Sequence, residues 1–295
     1  MNTQSTNFFI PSKESMAHYI PRKFFGISEE QIALFCMEHK LNLLTFGHAG
    51  VGKTSFLRWL ASQLQVPYVL VPSNESVSAI EMQGELRQDK QSGIWEWHDS
   101  ELVRVFRNGG IIDLGEIDKL AKNAKNFILS MLDESRTIIL SAHNGEPVTA
   151  SNNLLISANY NPNYIGSQRL PEQFADRFGM KLQYHYDRDI ESKYIRSSSL
   201  LDLMYGVRET SNYESEVMTS SKAVVFETPT TGRMAKAFEL IATKLSFDLA
   251  CEVFANNYLP DERPAIKMLL EGSAFNIQEE LGINTESITT EYQNA

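Results

Sequence analysis

Cysteine is nearly absent from this chain: Cys36 and Cys251 are the only two among 295 residues. They stand 251 − 36 = 215 positions apart, outside any CxxC pair. That spacing excludes a disulfide framework and a zinc ribbon, and it fits a reducing, cytoplasmic setting. No apolar run approaches the roughly 20 residues needed to span a bilayer, so no membrane partner is expected. The opening stretch MNTQSTNFFIPSKES lacks a basic segment followed by an apolar core and does not read as a signal peptide. Positive charge is not in excess either: 27 Lys and Arg against 37 Asp and Glu give a net charge of −10. That balance argues against a duplex-DNA groove binder, although a local basic stripe can coexist with it. The six histidines show no i,i+4 pair and no HExxH, so no metal-ligand set is expected among them. No internal repeat or long low-complexity tract is visible.

What the chain does have is an ordinary globular composition, 42% hydrophobic and 22% charged, and enough length for two domains. Short apolar runs at 41–46, 68–71, 110–114, 154–157 and 181–186 read as strands. Between them, 53–65, 100–108 and 118–132 carry apolar residues at helical spacing. Strands alternating with helices imply βαβ units and a parallel sheet covered on both faces. Beyond about residue 187 the strand pattern fades, and 189–207, 229–245, 247–257 and 264–271 read as helices. The expected division is an arm over 1–27, an α/β core over 28–186, a small all-helical lid over 187–275 and a polar tail over 276–295.

The sharpest motif is the strand–loop–helix segment LLTFGHAGVGKT, which fits GxxxxGK[ST]. Gly47, Gly50 and Gly52 let the backbone take positive φ and turn its N–H groups inward around phosphates. Lys53 places a point charge on the β- and γ-phosphates, and the Thr54 hydroxyl is a ligand for Mg²⁺. The helix that begins near Gly52 adds its positive dipole end. Gly47, His48, Ala49, Gly50, Val51, Gly52, Lys53, Thr54 and Ser55 form the candidate ATP-binding set. The bland alternative is a glycine-rich turn with an incidental lysine.

Such a site also needs a carboxylate at the tip of a neighbouring strand, to hold Mg²⁺ through water, and a base for the attacking water. The segment GGIIDLGEIDKL, an apolar strand ending in acids, has that character. Taken with GHAGVGKT before it, and SANYNP and ADRFG after it, it resembles the MoxR-type AAA+ ATPases. The branch with an insert in the second helix, which includes CbbQ, NorQ and gas-vesicle-type members, is the most similar. The resemblance covers about residues 40–243. It implies a three-layer α/β P-loop AAA+ core with a parallel sheet, followed by the helical lid.

In that family the acidic strand ends Asp-Glu. Here Glu116 matches the Glu, which implies water activation, but Gly115 stands at the Asp position and an Asp appears two residues earlier. Positions i and i+2 share a strand face, so Asp113 points the same way from about 7 Å further down the strand. Three readings stay open: Asp113 reaches Mg²⁺ through extra water, the magnesium site is weakened and hydrolysis slow, or Asp113 is a buried structural residue with a neighbour as partner.

The resemblance assigns the remaining site residues. Asn161, in Asn161-Pro162, matches the sensor that orients water at the γ-phosphate; Ala158-Asn159 stands where Ala-Thr is usual. Arg177 matches the arginine finger, which reaches a neighbouring subunit's site; the alternative is a surface salt bridge to Asp176 or Glu172. Arg169 is a second candidate for the finger. Arg233, in the first turn of a lid helix, matches sensor 2. A finger has no use in a monomer, so the match implies a homo-oligomeric ring, most often a hexamer.

Two hairpins complete the pattern. Ser92–His98 alternates, with Trp95 and Trp97 on one face, and either meets a partner or covers the domain's own core. Residues 136–150, with a turn at Asn144-Gly145, read as a second hairpin. The expected function is an ATP-driven ring that remodels or activates a protein partner; the family's usual partner is a von Willebrand factor A protein. Two rivals remain: a nucleic-acid-directed motor, because the DRFG segment occurs there too, and a nucleotide-binding scaffold with weak hydrolysis, because of Gly115.

Overall fold

The computed structural model describes residues 8–73, 78–90, 92–162, 170–210 and 226–283. Arg169, the second finger candidate, lies outside the described residues, as does most of the expected tail. Among the described residues no helix is long and apolar enough to cross a membrane. Contacts divide the chain into two units, one of Met1–Gly47 with Gly52–Tyr184, the other of His48–Val51 with His185–Ala295.

The first unit is built on five strands, β1 (Leu43–Gly47), β2 (Tyr68–Pro72), β3 (Gly110–Gly115), β4 (Leu154–Tyr160) and β5 (Met180–Tyr184). They lie in the order β5-β1-β4-β3-β2, and every pairing is parallel. A helix α1 (Glu29–Glu38) precedes the sheet; parallel strands need crossovers, and the sequence supplies α2 (Lys53–Leu64), α3 (Ala79–Gln83), α4 (Glu101–Asn108), α5 (Lys122–Leu132) and α6 (Glu172–Ala175) between them. Every residue of β3 is buried, so both of its faces are covered, the condition under which all-parallel sheets occur. This is the three-layer α/β P-loop fold.

The α1 helix was not legible as a helix in the apolar pattern, yet its start is well marked. Ser28 accepts from Gln31 N while the Gln31 side chain reaches back to the Ser28 N–H, a full capping box. The stretch before it is no loose arm. Tyr19 Oη, Arg22 N and Tyr184 Oη donate to the buried Glu29 carboxylate at 2.6, 2.8 and 2.7 Å, and Tyr68 N donates to Phe9 O at 2.9 Å. Burial pushes the Glu29 carboxyl above the usual range, and those hydrogen bonds oppose the shift.

Two antiparallel hairpins project from the first unit, Gly84–Gln88 with Trp95–Asp99 and Thr137–Leu140 with Glu146–Thr149. A ring of contacts joins them. Trp97 stacks on His143 at 4.9 Å and 2°, and Trp97 Nε1 donates to Asp99 Oδ1 at 2.8 Å. Arg107 on α4 bridges Asp99 and Glu146, and Glu146 returns to His143 Nδ1 at 2.9 Å. Trp95 is 61% exposed.

The second unit holds α7 (Arg188–Glu191), α8 (Ser198–Glu209), α9 (Gly232–Lys244), α10 (Phe247–Ala255) and α11 (Arg263–Leu281) around its own apolar cluster. The single helix expected over 189–207 is broken in two, with Ser197 starting α8 by capping Leu200 N. The α11 helix runs to Leu281, well into the expected tail. Ile277 and Leu281 are buried in the cluster, and Glu280 accepts from Ser197 Oγ and Ser199 N. Ile277→Ala is expected to lower the stability of the helical unit by about 2–5 kcal/mol. Urea unfolding followed by circular dichroism measures this; a midpoint equal to that of wild type would mean α11 ends where the sequence pattern fades.

Candidate functional site

In parallel α/β sheets, loops at the carboxyl ends of adjacent strands meet at one edge. Here β1, β4 and β3 are neighbours, so the segments that leave their carboxyl ends gather there. After β1 comes the glycine loop. Gly47, Gly50 and Gly52 all have positive φ, at +144°, +80° and +98°. At Gly47 an added Cβ would sit 2.1 Å from Tyr184 O, so no other residue fits without moving β5. Gly52 is the left-handed N-cap of α2, with no side chain to occupy the helix's first N–H groups.

Lys53 is buried, and its Nζ donates to Gly47 O and to Asn161 Oδ1, both at 2.7 Å. Burial pulls its pKa down to about 8, with the Glu116 charge partly opposing. The loop lysine and the sensor asparagine predicted from separate motifs therefore meet directly. Thr54, the next residue of α2, is half-buried. In the helical unit, with which the loop tip groups, Tyr186 Oη donates to Ala49 O at 2.9 Å and stacks on His48. The Arg208 guanidinium lies 3.6 Å from the Tyr186 ring centre and forms a buried ion pair with Glu191.

After β3 comes Glu116, an exposed residue held at φ +53°, a conformation that few non-glycine residues adopt. Its N–H donates to Asn159 Oδ1 at 3.3 Å, and its carboxylate pairs with Lys119 Nζ at 2.7 Å. Asp113, two residues before Gly115 on β3, is fully buried. Its two oxygens accept from Tyr68 Oη at 2.9 Å and from Asn159 Nδ2 at 2.8 Å. Burial raises the Asp113 pKa to about 6, against the lowering effect of those two hydrogen bonds. Of the three readings left open, this geometry matches the buried carboxylate with neighbouring partners. Among the described residues no cluster of three His, Cys, Asp or Glu is placed to hold a metal ion.

Arg177 is exposed and pairs with Asp133, neither of the partners its sequence neighbours suggested. Asp133 follows α5 and is distant in sequence, so only the folded chain brings it near. The Arg177 backbone is fixed by Asn42, whose Nδ2 donates to Arg177 O at 2.9 Å. Arg233 is exposed in the first turn of α9, which Thr231 caps, and it has no hydrogen bond or ion pair among the described residues.

Tyr68 and Asn159 were not recognised as site residues from sequence. Asn159 carried a trace, standing where the resembled pattern has Thr. Tyr68 carried none, because its contact with Asp113 depends on the register of β2 against β3, which pairs Leu70 with Asp113.

Residues 42–178 match the family model of the AAA domain, dynein-related subfamily. The denitrification regulatory protein NirQ of Pseudomonas aeruginosa is 24% identical over 261 residues, covering 84% of this chain and 95% of that protein. NirQ of Stutzerimonas stutzeri is 23% identical over 220 residues, 71% of this chain and 78% of that one. Protein NorQ of Paracoccus denitrificans is 30% identical over 143 residues, 48% of this chain and 52% of its own. Among solved structures, the Holliday junction branch migration motor RuvB of Thermotoga maritima aligns over 90% of this chain and 83% of its own, with 14% identity and a TM-score of 0.45.

If nucleotide phosphates bind at this loop, the Lys53 ammonium is expected to set the pH dependence of that binding. Phosphate favours the charged lysine, whereas in the free protein burial favours the neutral one, so binding near and above pH 8 must take up a proton. ATP affinity is therefore expected to fall as pH rises past about 8, by at most about tenfold per pH unit. Calorimetric titration in two buffers of different ionisation enthalpy reads the proton uptake directly. Affinity and heat that do not change between about pH 7 and pH 9.5 would contradict it.

Proposed function

We propose that the chain, whose residues 42–178 match the AAA domain of the dynein-related subfamily, is a MoxR-type AAA+ protein, an ATP-hydrolysing ring protein that remodels or activates a protein partner. The observation that carries the proposal is the meeting of Lys53 and Asn161 at 2.7 Å, with Glu116 directly after the end of β3. Three motifs far apart in sequence converge on the edge where a γ-phosphate would lie.

The fit to a triphosphate rests on two features: a loop whose three glycines take positive φ, and a buried lysine held by two uncharged oxygens. Bound ATP would supply the phosphoryl group, and this chain's residues do the rest. Lys53 holds the phosphate charge, and the α2 N-terminus adds its dipole. Asn161, freed from Lys53, orients the attacking water. Glu116 takes that water's proton, which requires its carboxylate to leave Lys119. Exposed pairs of that kind contribute about 0–1 kcal/mol, so the release is cheap. The same holds for Arg177, which leaves Asp133 to stabilise charge in the next copy's site, and Arg233 is the proposed second sensor.

For Mg²⁺ the fit is incomplete. Thr54 offers a hydroxyl, but Gly115 offers no side chain and both Asp113 oxygens are taken. Mg²⁺ sites of this kind usually rely on a carboxylate besides the phosphates. That gap favours one second reading, a nucleotide-binding scaffold with slow turnover.

The name of the NirQ relatives marks them as regulators, and regulation through another protein is the role proposed here. A partner of the von Willebrand factor A type is the expected client.

Mixing separately inactive variants tests the ring mechanism. Glu116→Gln and Arg177→Ala are each expected to bind ATP and lose at least about 100-fold in turnover, since removing a transition-state contact typically has that effect. Mixed, they recover activity, because one chain supplies Glu116 and its neighbour supplies Arg177. No recovery, together with a single-copy mass at saturating ATP, would exclude the shared site.

The second reading has its own measurement. A Cβ added at position 115 would lie 3.2 Å from Leu70 Cδ1, the end of a flexible side chain, and 3.8 Å from Val71 O. Gly115→Asp is expected to raise turnover several-fold at low Mg²⁺, in line with the rate contribution of a positioned metal. Turnover unchanged at every Mg²⁺ concentration would mean that the missing carboxylate does not limit the rate.

A further inference from the structure

Asp113 is a buried acid that the proposed mechanism leaves without work, in a strand where every other neighbour is apolar or glycine. Its surroundings specify one orientation of a nearby amide. An ionised carboxylate only accepts hydrogen bonds and a peptide N–H only donates. Asn159 lies between one of each, with Asp113 Oδ1 at 2.8 Å on one side and the Glu116 N–H at 3.3 Å on the other. Its NH₂ must therefore face Asp113, and its oxygen must face Glu116. Tyr68 Oη, donating to the second Asp113 oxygen at 2.9 Å, stops the carboxylate from turning away.

The sheet register explains how one amide spans both. Ser157 of β4 pairs with Asp113 of β3, and Asn159 lies two residues further along β4 on the same face as Ser157. That places Asn159 between the buried acid and the strand end where Glu116 begins. Asn161 lies two residues further again and receives Lys53.

We propose that Asp113 is a positioning residue: by accepting from Asn159 Nδ2 it fixes the Asn159 amide, whose oxygen then holds the Glu116 backbone at its left-handed φ. The proposal rests on the reading of Glu116 as the water-activating base. A left-handed non-glycine residue persists when its surroundings over-determine it, and the Asp113–Asn159 pair supplies that determination. Without the acceptor at 113, the amide is free to turn its NH₂ toward the Glu116 N–H, donor against donor, and the strand end relaxes.

Three full-length variants test this: Asp113→Val, Asn159→Ala and Asp113→Asn. Two readings are taken on each, hydrogen-exchange protection of the Glu116 amide and steady-state kinetics against ATP and Mg²⁺. Asp113→Val and Asn159→Ala are expected to lose Glu116 protection and to lower kcat about 10- to 100-fold, with KM changed less than about threefold, since misplaced catalytic groups cost rate rather than binding. Asp113→Asn, which still offers an oxygen to Asn159 Nδ2, recovers both protection and kcat to within about threefold of wild type, as an isosteric acceptor does. The idea is overturned if Glu116 protection survives in Asp113→Val. It is equally overturned if Asp113→Asn is as damaging as Asp113→Val and raises the Mg²⁺ half-saturation, the behaviour of a metal ligand. Should the wild-type protein bind ATP without turning it over, the role of Glu116 as base fails, and the exchange readings still decide whether Asp113 sets its backbone.

Discussion

A buried ammonium is the constraint around which the rest of this site is arranged. Lys53 has left water, and it donates at 2.7 Å to a backbone carbonyl and to an amide oxygen, both uncharged. Burial disfavours the charged form and lowers its pKa to about 8, with the Glu116 charge partly opposing. Only a parallel sheet with β1 beside β4 brings those two oxygens together, because Gly47 ends the one and Asn161 comes just after the other. The glycine loop that precedes the lysine turns its backbone at Gly47, Gly50 and Gly52.

How much of this was legible in the sequence depends on how local each feature is. The phosphate loop is a run of adjacent residues, so its glycines, lysine and helix start could be read one after another. The strands of the core were legible for the same reason, since each is a short apolar run between turn residues. What escaped was everything that needs two distant segments at once. Asp133 as partner to Arg177, and Tyr68 as partner to Asp113, exist because of tertiary register and leave no periodic trace. The α11 helix was cut short because Glu271–Ala274 interrupts its apolar stripe, and Ile277 and Leu281 resume it only when the buried cluster is known.

The displaced acid is best understood as an exchange of duties between strands. In the resembled pattern a carboxylate ends the strand beside the Glu and a threonine stands on the neighbouring strand. Here Gly115 ends it and Asn159 stands in place of the threonine. The Asp sits at 113, out of reach of water but bonded to that same asparagine. A carboxylate, an amide and a glycine thus each depart from the resembled pattern here, and the amide is the one side chain of the three that can both donate and accept. An isolated Gly for Asp replacement would remove a function. A coupled replacement, with Asn159 bonded to both Asp113 and Glu116, keeps the strand end organised by other means.

The hairpins obey a similar logic of commitment. Two tryptophans on one face of a projecting ribbon look equivalent in sequence, yet their surroundings separate them. Trp97 has its ring on His143 and its Nε1 on Asp99, and Asp99 is held by Arg107, which also holds Glu146. Asp99, Arg107 and Glu146 each take part in two of these contacts, so the ring is held at more than one point. The two hairpins are therefore anchored to α4 and to each other. Trp95, near the free end of the same ribbon with Ile94, has no such contact among the described residues, and both are 61% exposed, so the exposed apolar surface of this ribbon is the Ile94–Trp95 end rather than the pair of tryptophans as a unit.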